Sequence, residues 1–310
     1  MSVQWYPGHM HKARQQLAAV MPAMDLVIEV LDARIPYSSE NPLLAELRGD
    51  TPCIRLLNKK DLADHQRTEE WQAWLEQAAG VKTLATSLHE SAKVRGIIEL
   101  ATKMVPHKVG SDKDIEALII GIPNVGKSTI INTLAQRKIA KTGNEPAITK
   151  QQQRIRLSED LVLFDTPGML WPKVENPDSG YRLAVTGAIR DTAIDHTEIA
   201  YYAAELLMQQ YPQRLKERYE LLELPATEDA FMSLLAKQRG CVTSGGRVDY
   251  DRVSKLFLQE IRSGKLGALT LETPAMAERE EVLVKKLREE KDRKDRERKE
   301  RFKKKNSRRR

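Results

Sequence analysis

The sequence predicts an α/β protein in which a mostly parallel sheet carries helices on both faces and a small all-α domain follows. Three observations predict it. Over the first two thirds of the chain, short apolar runs alternate with helical patterns, the rhythm of parallel strands joined by crossover helices. After about residue 180 the strand pattern fades and helical periodicity alone persists. From about Ala275 onward there is almost no apolar periodicity, only charge.

The strand candidates in chain order are Leu26–Leu31, Cys53–Leu57, Leu84–Ser87, Ala117–Gly121 and Leu161–Phe164. Gln151–Leu157 alternates polar and apolar residues, so it reads as an edge strand with one wet face. Helical segments near Pro42–Leu47, Arg67–Ala79, Val94–Met104 and Lys127–Gln136 lie between them. Trp71 and Trp74 stand three apart on one helical face and read as core. Beyond a loop expected at Trp171–Tyr181, helices are expected at Glu198–Gln210, Pro212–Tyr219, Glu228–Arg239 and Asp249–Ser263, with Gly240, Gly245 and Gly246 marking a turn. The expected organisation is a first domain over residues 1–180, opened by an N-terminal segment over 1–20. A helical domain covers 181–274. A charged tail covers 275–310, either a solvated single helix or disordered.

Composition bounds the class. Hydrophobic residues make up 41% and charged residues 31% of 310, enough for a core under a well-charged surface. Cys53 and Cys241 are the only cysteines and have no metal-ligand spacing, which implies neither a disulfide framework nor a zinc site. The first nine residues lack a basic and an apolar region, which argues against a signal peptide, and no apolar run is long enough to span a bilayer. A cytoplasmic location is expected. The net charge of +7 is unevenly spread: residues 285–310 hold 16 Lys/Arg against 6 Asp/Glu, so the preceding 284 residues carry −3. The basicity belongs to the tail, which is an electrostatic footprint for nucleic acid. The tail's poverty in apolar residues, Phe302 apart, argues against a membrane partner.

Gly121-Ile-Pro-Asn-Val-Gly-Lys-Ser128 fits G-x-x-x-x-G-K-[ST], with an apolar strand before it and a helical pattern after it. Glycines let backbone N–H groups turn inward around phosphate oxygens, and the helix N-terminus adds its positive end. Asn124, Val125, Gly126, Lys127, Ser128 and Thr129 are the candidate phosphate contacts. Lys127 would bridge the β- and γ-phosphates, and the Ser128 hydroxyl would ligate Mg²⁺. Asp165-Thr-Pro-Gly168 ends a strand; alone it reads as a turn, but its place downstream of the P-loop gives it weight. Asp165 would reach Mg²⁺ through water, and the Gly168 N–H would approach the γ-phosphate. Between them, Lys141-Thr-Gly-Asn-Glu-Pro-Ala-Ile-Thr149 has the character of a γ-phosphate sensor. Thr149 is the expected second protein ligand to Mg²⁺, with Thr142 as its competitor.

Asn58-Lys-Lys-Asp61 follows the strand Cys53–Leu57. In isolation the tetrapeptide reads as an ordinary polar turn. With a P-loop in the same chain it can read a base. The Asp61 carboxylate can accept from guanine N1–H and N2–H₂, a donor pair that adenine lacks. Asn58 would brace the loop, and the Lys59 stem would lie over the purine, with Lys60 beside it. Thr86-Ser87 is a weaker candidate for a second base-contacting loop.

The set GIPNVGKST, DTPG, NKKD and TS, with the last two ahead of the first two, resembles the circularly permuted GTPases. Trp5-Tyr-Pro-Gly-His-Met10, Asp32-Ala-Arg-Ile-Pro36 and Asp165-Thr-Pro-Gly-Met-Leu-Trp-Pro-Lys173 narrow the resemblance to the ribosome biogenesis GTPase A family. It extends through Arg182–Ile189 and Arg239–Gly246 and covers about residues 1–272; the charged tail lies outside it. The resemblance implies GTP hydrolysis on a precursor of the large ribosomal subunit late in assembly, and a helical C-terminal domain that contacts rRNA. It is read as a monomer. It also implies that His9, in the Pro-Gly-His motif, positions water. Met169 occupies the place of a water-positioning glutamine, and a thioether cannot orient water. By similarity to related GTPases, Asn124 would accompany K⁺-stimulated hydrolysis, the cation partly replacing an arginine finger. An alternative reading is an RNA-binding assembly factor in which GTP only gates affinity and hydrolysis is incidental; Met169 favours it slightly.

Overall fold

The computed structural model describes residues 15, 17–139, 153–166, 176–189 and 191–307. Six strands form one sheet: β1 (Leu26–Asp32), β2 (Cys53–Asn58), β3 (Val81–Ala85), β4 (Ile115–Gly121), β5 (Gln153–Arg156) and β6 (Leu161–Asp165). Their spatial order is β3-β2-β1-β4-β6-β5, parallel throughout except for β5, which pairs antiparallel with β6. Every residue of β1 and β2 is buried, as expected of central strands covered on both faces. In β5 only Ile155 is buried, which gives the wet face of an edge strand.

The helices around and after the sheet are α1 (Pro36–Ser39), α2 (Pro42–Arg48), α3 (His65–Leu75), α4 (Ser91–Met104), α5 (Lys127–Leu134), α6 (Pro177–Val185), α7 (His196–Gln210), α8 (Pro212–Tyr219), α9 (Glu228–Gln238), α10 (Tyr250–Arg262) and α11 (Pro274–Ser307). Polar caps start several of them. Asp195 accepts from Thr197 N and Glu198 N ahead of α7, Thr227 from Ala230 N ahead of α9, and Asp249 from Arg252 N ahead of α10.

Two elements differ from the sequence expectation. The third strand is Val81–Ala85 rather than Leu84–Ser87. It lies at the sheet edge, where Lys82 faces water, so its apolar density is low, and Thr86 and Ser87 fall in the loop beyond it. The loop expected at Trp171–Tyr181 is overtaken by α6, while residues 171–175 lie outside the described residues. Asn176 caps α6 by accepting from Asp178 N, and Pro177 occupies its first turn. The division expected at 180/181 therefore falls inside a helix. One continuous cluster of buried residues runs from Ile28, Ile119 and Leu163 in the sheet through Leu183–Val185 of α6. It continues to Ile199, Leu207, Phe231 and Phe257 of the helical region.

Residues 264–273 return to the sheet. Leu269 N donates to Leu62 O at 2.9 Å, and Leu271 N donates to Arg34 O at 2.7 Å. The buried Glu272 carboxylate accepts from Tyr37 N at 2.8 Å and Ser38 N at 3.1 Å, and pairs with Arg182 at 2.8 Å. The tail's first turns are likewise held against the body, contrary to a tail without any core. Ala277 is buried beside Leu31 and Trp71, Glu280 pairs with Arg182, and Trp74 Nε1 donates to Glu278 Oε1 at 3.2 Å. Among the described residues no helix is long and apolar enough to cross a membrane.

Candidate nucleotide site

Strands β1→β2→β3 progress toward one edge of the sheet, and β4→β6 toward the other. The topological switch point therefore lies between β1 and β4, and the crevice beyond their C-terminal ends is where such sheets bind ligands. The loops singled out by sequence leave the sheet at this end.

The P-loop follows β4. Gly121 lies against β1: a Cβ there would sit 2.9 Å from Val30 O. Asn124 and Gly126 both hold positive φ, 59° and 96°, which turns the chain tightly into α5. Gly126 caps α5 with no side-chain bond, leaving the helix's first N–H groups for an anion. Lys127 is the first residue of that helix and is only 6% exposed. Its ammonium touches the Asp165 carboxylate. Ser128 and Thr129 are half-buried on the helix's first turn.

Asp165 ends β6 in register with Ile119 of β4, and Thr166 Oγ1 donates back to Ile119 O at 2.9 Å. Burial pushes the Asp165 carboxyl above its ordinary range, offset in part by Lys127. Burial likewise lowers Lys127, offset by Asp165. Asp165 Oδ2 is a buried oxygen without a hydrogen-bond partner among the described residues, a donor set that fits a hydrated Mg²⁺.

The base-reading candidates follow β2. Asn58 Nδ2 donates to Val125 O at 2.7 Å, joining this loop to the P-loop. A Cβ on Gly126 would come within 2.3 Å of the same nitrogen, so the contact requires glycine there. Lys59 takes a left-handed conformation, φ 62°. Lys60 N donates to Thr86 O at 3.1 Å, which brings the Thr86-Ser87 loop alongside, and Lys60 Nζ pairs with Glu90 at 2.7 Å. Thr86 and Ser87 are buried, whereas Asp61 is exposed at the loop's tip.

Sequence reasoning did not identify Asp32 and Arg34 as neighbours of this site. Arg34 Nε and Nη2 donate to the two Asp32 oxygens at 2.9 and 2.7 Å, and Lys59 Nζ to Asp32 Oδ2 at 2.8 Å. Burial opposes ionisation of Asp32, but Arg34 and Lys59 outweigh it and hold the carboxyl well below the ordinary range. Two charged residues of opposite sign at the end of an apolar strand were the available signal. A second link was not foreseeable from spacing: Asn124 Nδ2 donates to Gly187 O at 2.9 Å, just after α6. His9, Thr142, Thr149, Gly168 and Met169 lie outside the described residues.

A P-loop at the switch point, with the candidate base-reading loop on an earlier strand of an otherwise intact sheet, is the arrangement of a circularly permuted P-loop GTPase. Residues 116–227 match the family model described as 50S ribosome-binding GTPase. The chain is 44% identical over 281 residues to the ribosome biogenesis GTPase A of Bacillus pumilus, covering 88% of this chain and 99% of that protein. It therefore belongs to the ribosome biogenesis GTPase A family and is a GTP hydrolase. It is also 31% identical over 291 residues to mitochondrial ribosome-associated GTPase 1 of Mus musculus, covering 86% and 89%. Among solved structures, GNP-bound YlqF from T. maritima aligns with TM-score 0.63 and 27% identity over 85% of this chain and 98% of that one.

Proposed function

We propose that this GTPase binds GTP with Mg²⁺, engages a precursor of the large ribosomal subunit in the cytoplasm as a monomer, and hydrolyses GTP when that particle stimulates it. The observation that carries the nucleotide part is the Asn58–Val125 bond, which sets a guanine-reading loop against a phosphate loop. Asp61 accepts from guanine, Asn58, Lys59 and Lys60 shape the loop, and Thr86 and Ser87 close it from the loop after β3. The P-loop amides from Asn124 to Thr129 and Lys127 hold the phosphates, and Gly168 adds an N–H at the γ-phosphate. Ser128 and Thr149 ligate Mg²⁺, and Asp165 holds it through water. Held there, Mg²⁺ would neutralise developing charge on the phosphates.

His9 positions water, and the Asn124 side chain supports a K⁺ near the same bridge. The ribosomal part rests on the names of the relatives, and the helical region is the surface for rRNA. Co-sedimentation with large subunits tests the reading. Retention with a non-hydrolysable GTP analogue and release with GDP is expected; no retention in either state refutes it. Equal turnover in K⁺ and Na⁺ buffers refutes the K⁺ site.

One observation favours a second reading: Met169 stands where a water-positioning glutamine would. In that reading GTP only gates RNA affinity and hydrolysis is incidental. Turnover unaffected by subunits would support it.

A further inference from the structure

We propose that α11 is a rigid basic arm, rooted on the GTPase body, that grips the phosphate backbone of double-helical RNA. The proposal rests on the ribosome-assembly reading for its choice of RNA among polyanions.

The root is fixed. Arg182 of α6 is 1% exposed and pairs with both Glu272 and Glu280, so the helix is tied to the body one and a half turns after it begins. Asn176 also donates to Glu280, and Ala277 fills a gap beside Trp71. Past the root the helix leaves the core. Val282, Leu283 and Leu287 are exposed, and from Arg288 onward Phe302 is the only apolar residue.

A helix without a core needs another source of order, and the charge spacing supplies it. Each of the seven acidic residues between 281 and 300 stands four positions ahead of a Lys or Arg: Glu281, Glu289, Glu290, Asp292, Asp295, Glu297 and Glu300. Acid before base at this spacing is the favourable orientation on a helix, and repeated it makes a stiff, solvated rod. At 1.5 Å per residue, the 34 residues of α11 extend about 50 Å.

The rod's surplus charge names its partner. Residues 285–310 balance at +10, and Lys286, Lys291, Arg298, Lys303 and Lys305, like Arg288, Arg308, Arg309 and Arg310, have no acid four positions before them. The first five of these cations are spread along a helix about 50 Å long, and a duplex presents a stiff line of phosphates over a comparable length. Membrane insertion would need an apolar face, which this stretch lacks.

The test titrates the full-length protein with a duplex RNA of about 20 base pairs and arbitrary sequence across a salt series. The variant with Lys286, Lys291, Arg298, Lys303 and Lys305 all changed to Gln should lose about tenfold in affinity near 0.1 M salt, with a shallower salt slope. An unchanged slope overturns the proposal, as does tail-dependent binding to anionic vesicles with none to RNA. Rigidity is read separately, by pulsed dipolar spectroscopy between spin labels on Gln77→Cys and Asn306→Cys. A narrow distance distribution that broadens when Gly-Pro-Gly is inserted after Arg288 is expected; a broad distribution in the uninterrupted protein refutes the rod. Loss of the ribosome reading would instead appear as no effect of subunits on GTP turnover, which the duplex titration does not measure.

Discussion

The Asn58 side-chain amide donates to the Val125 carbonyl at 2.7 Å, across 67 positions of sequence. The bond joins the proposed base-reading loop to the P-loop by contact in space, not by chain order. That is why the two motifs can exchange places along the chain while the sheet keeps one arrangement. It also explains Gly126, whose missing Cβ leaves room for the Asn58 nitrogen.

Asn58→Ala should therefore weaken GDP binding about tenfold and cost about 1–3 kcal/mol of stability, because the Val125 carbonyl loses its partner. Calorimetric titration and thermal unfolding measure the two effects. Wild-type GDP affinity in this variant would refute the bridge.

Asp61→Asn should exchange guanine for xanthine. In the proposed site the carboxylate would accept from guanine N1–H and N2–H₂, whereas an amide can donate to the oxygen that xanthine carries at that position. Competition of XTP against GTP is the readout. A variant still preferring GTP would exclude Asp61 as the base reader.

Glu29 supplies a pH test outside the site. It is buried in β1, accepts from Asn41 N at 2.9 Å, and lies 3.3 Å from Arg55. Burial, followed by repulsion from Glu40, pushes its carboxyl up to about 7, with Arg55 opposing. A raised folded-state value favours the protonated form. Its stabilisation is fully present below the unfolded value of 4.5 and is lost as pH rises through about 7. Glu29→Gln should flatten the fall in melting temperature between about pH 5 and about pH 8. Parallel profiles for the two proteins would contradict this.

Arg262 of α10 donates to Val185 O at 3.0 Å and Ala184 O at 2.8 Å, at the end of α6, while Asn124 holds Gly187 O two residues further on. The P-loop and the helical region thus grip the same turn. Arg262→Ala should cost about 1–3 kcal/mol of stability and reduce the stimulation of turnover by subunits, with basal GTP affinity retained. Full stimulation in a folded variant would disprove the coupling.

Much of this was legible in the sequence, for physical reasons. The buried strands β1, β2 and β4 are near-continuous apolar runs, and a P-loop between a strand and a helix has few other uses. Helix α6 was not legible. A loop was expected over Trp171–Tyr181, and the helix's apolar residues are shared between sheet and helical region, so no single face announces it; Asn176 and Pro177 at its start were the missed cue. The Asp32–Arg34–Lys59 cluster joins the end of β1 to the segments that follow β1 and β2, and depends on the register of the two strands. Ala277 and Glu280 root the tail helix through contacts with Trp71 and Arg182 that lie far away in sequence.

Steady-state GTP turnover, measured with and without saturating large ribosomal subunits in K⁺ buffer, decides whether a ribosomal particle switches this GTPase on. With the ribosome as the switch, slow turnover alone is expected, and a rise of about tenfold or more with subunits that is abolished in His9→Ala while GTP binding persists. Equal turnover with and without subunits, in a preparation that binds GTP fully, would contradict it.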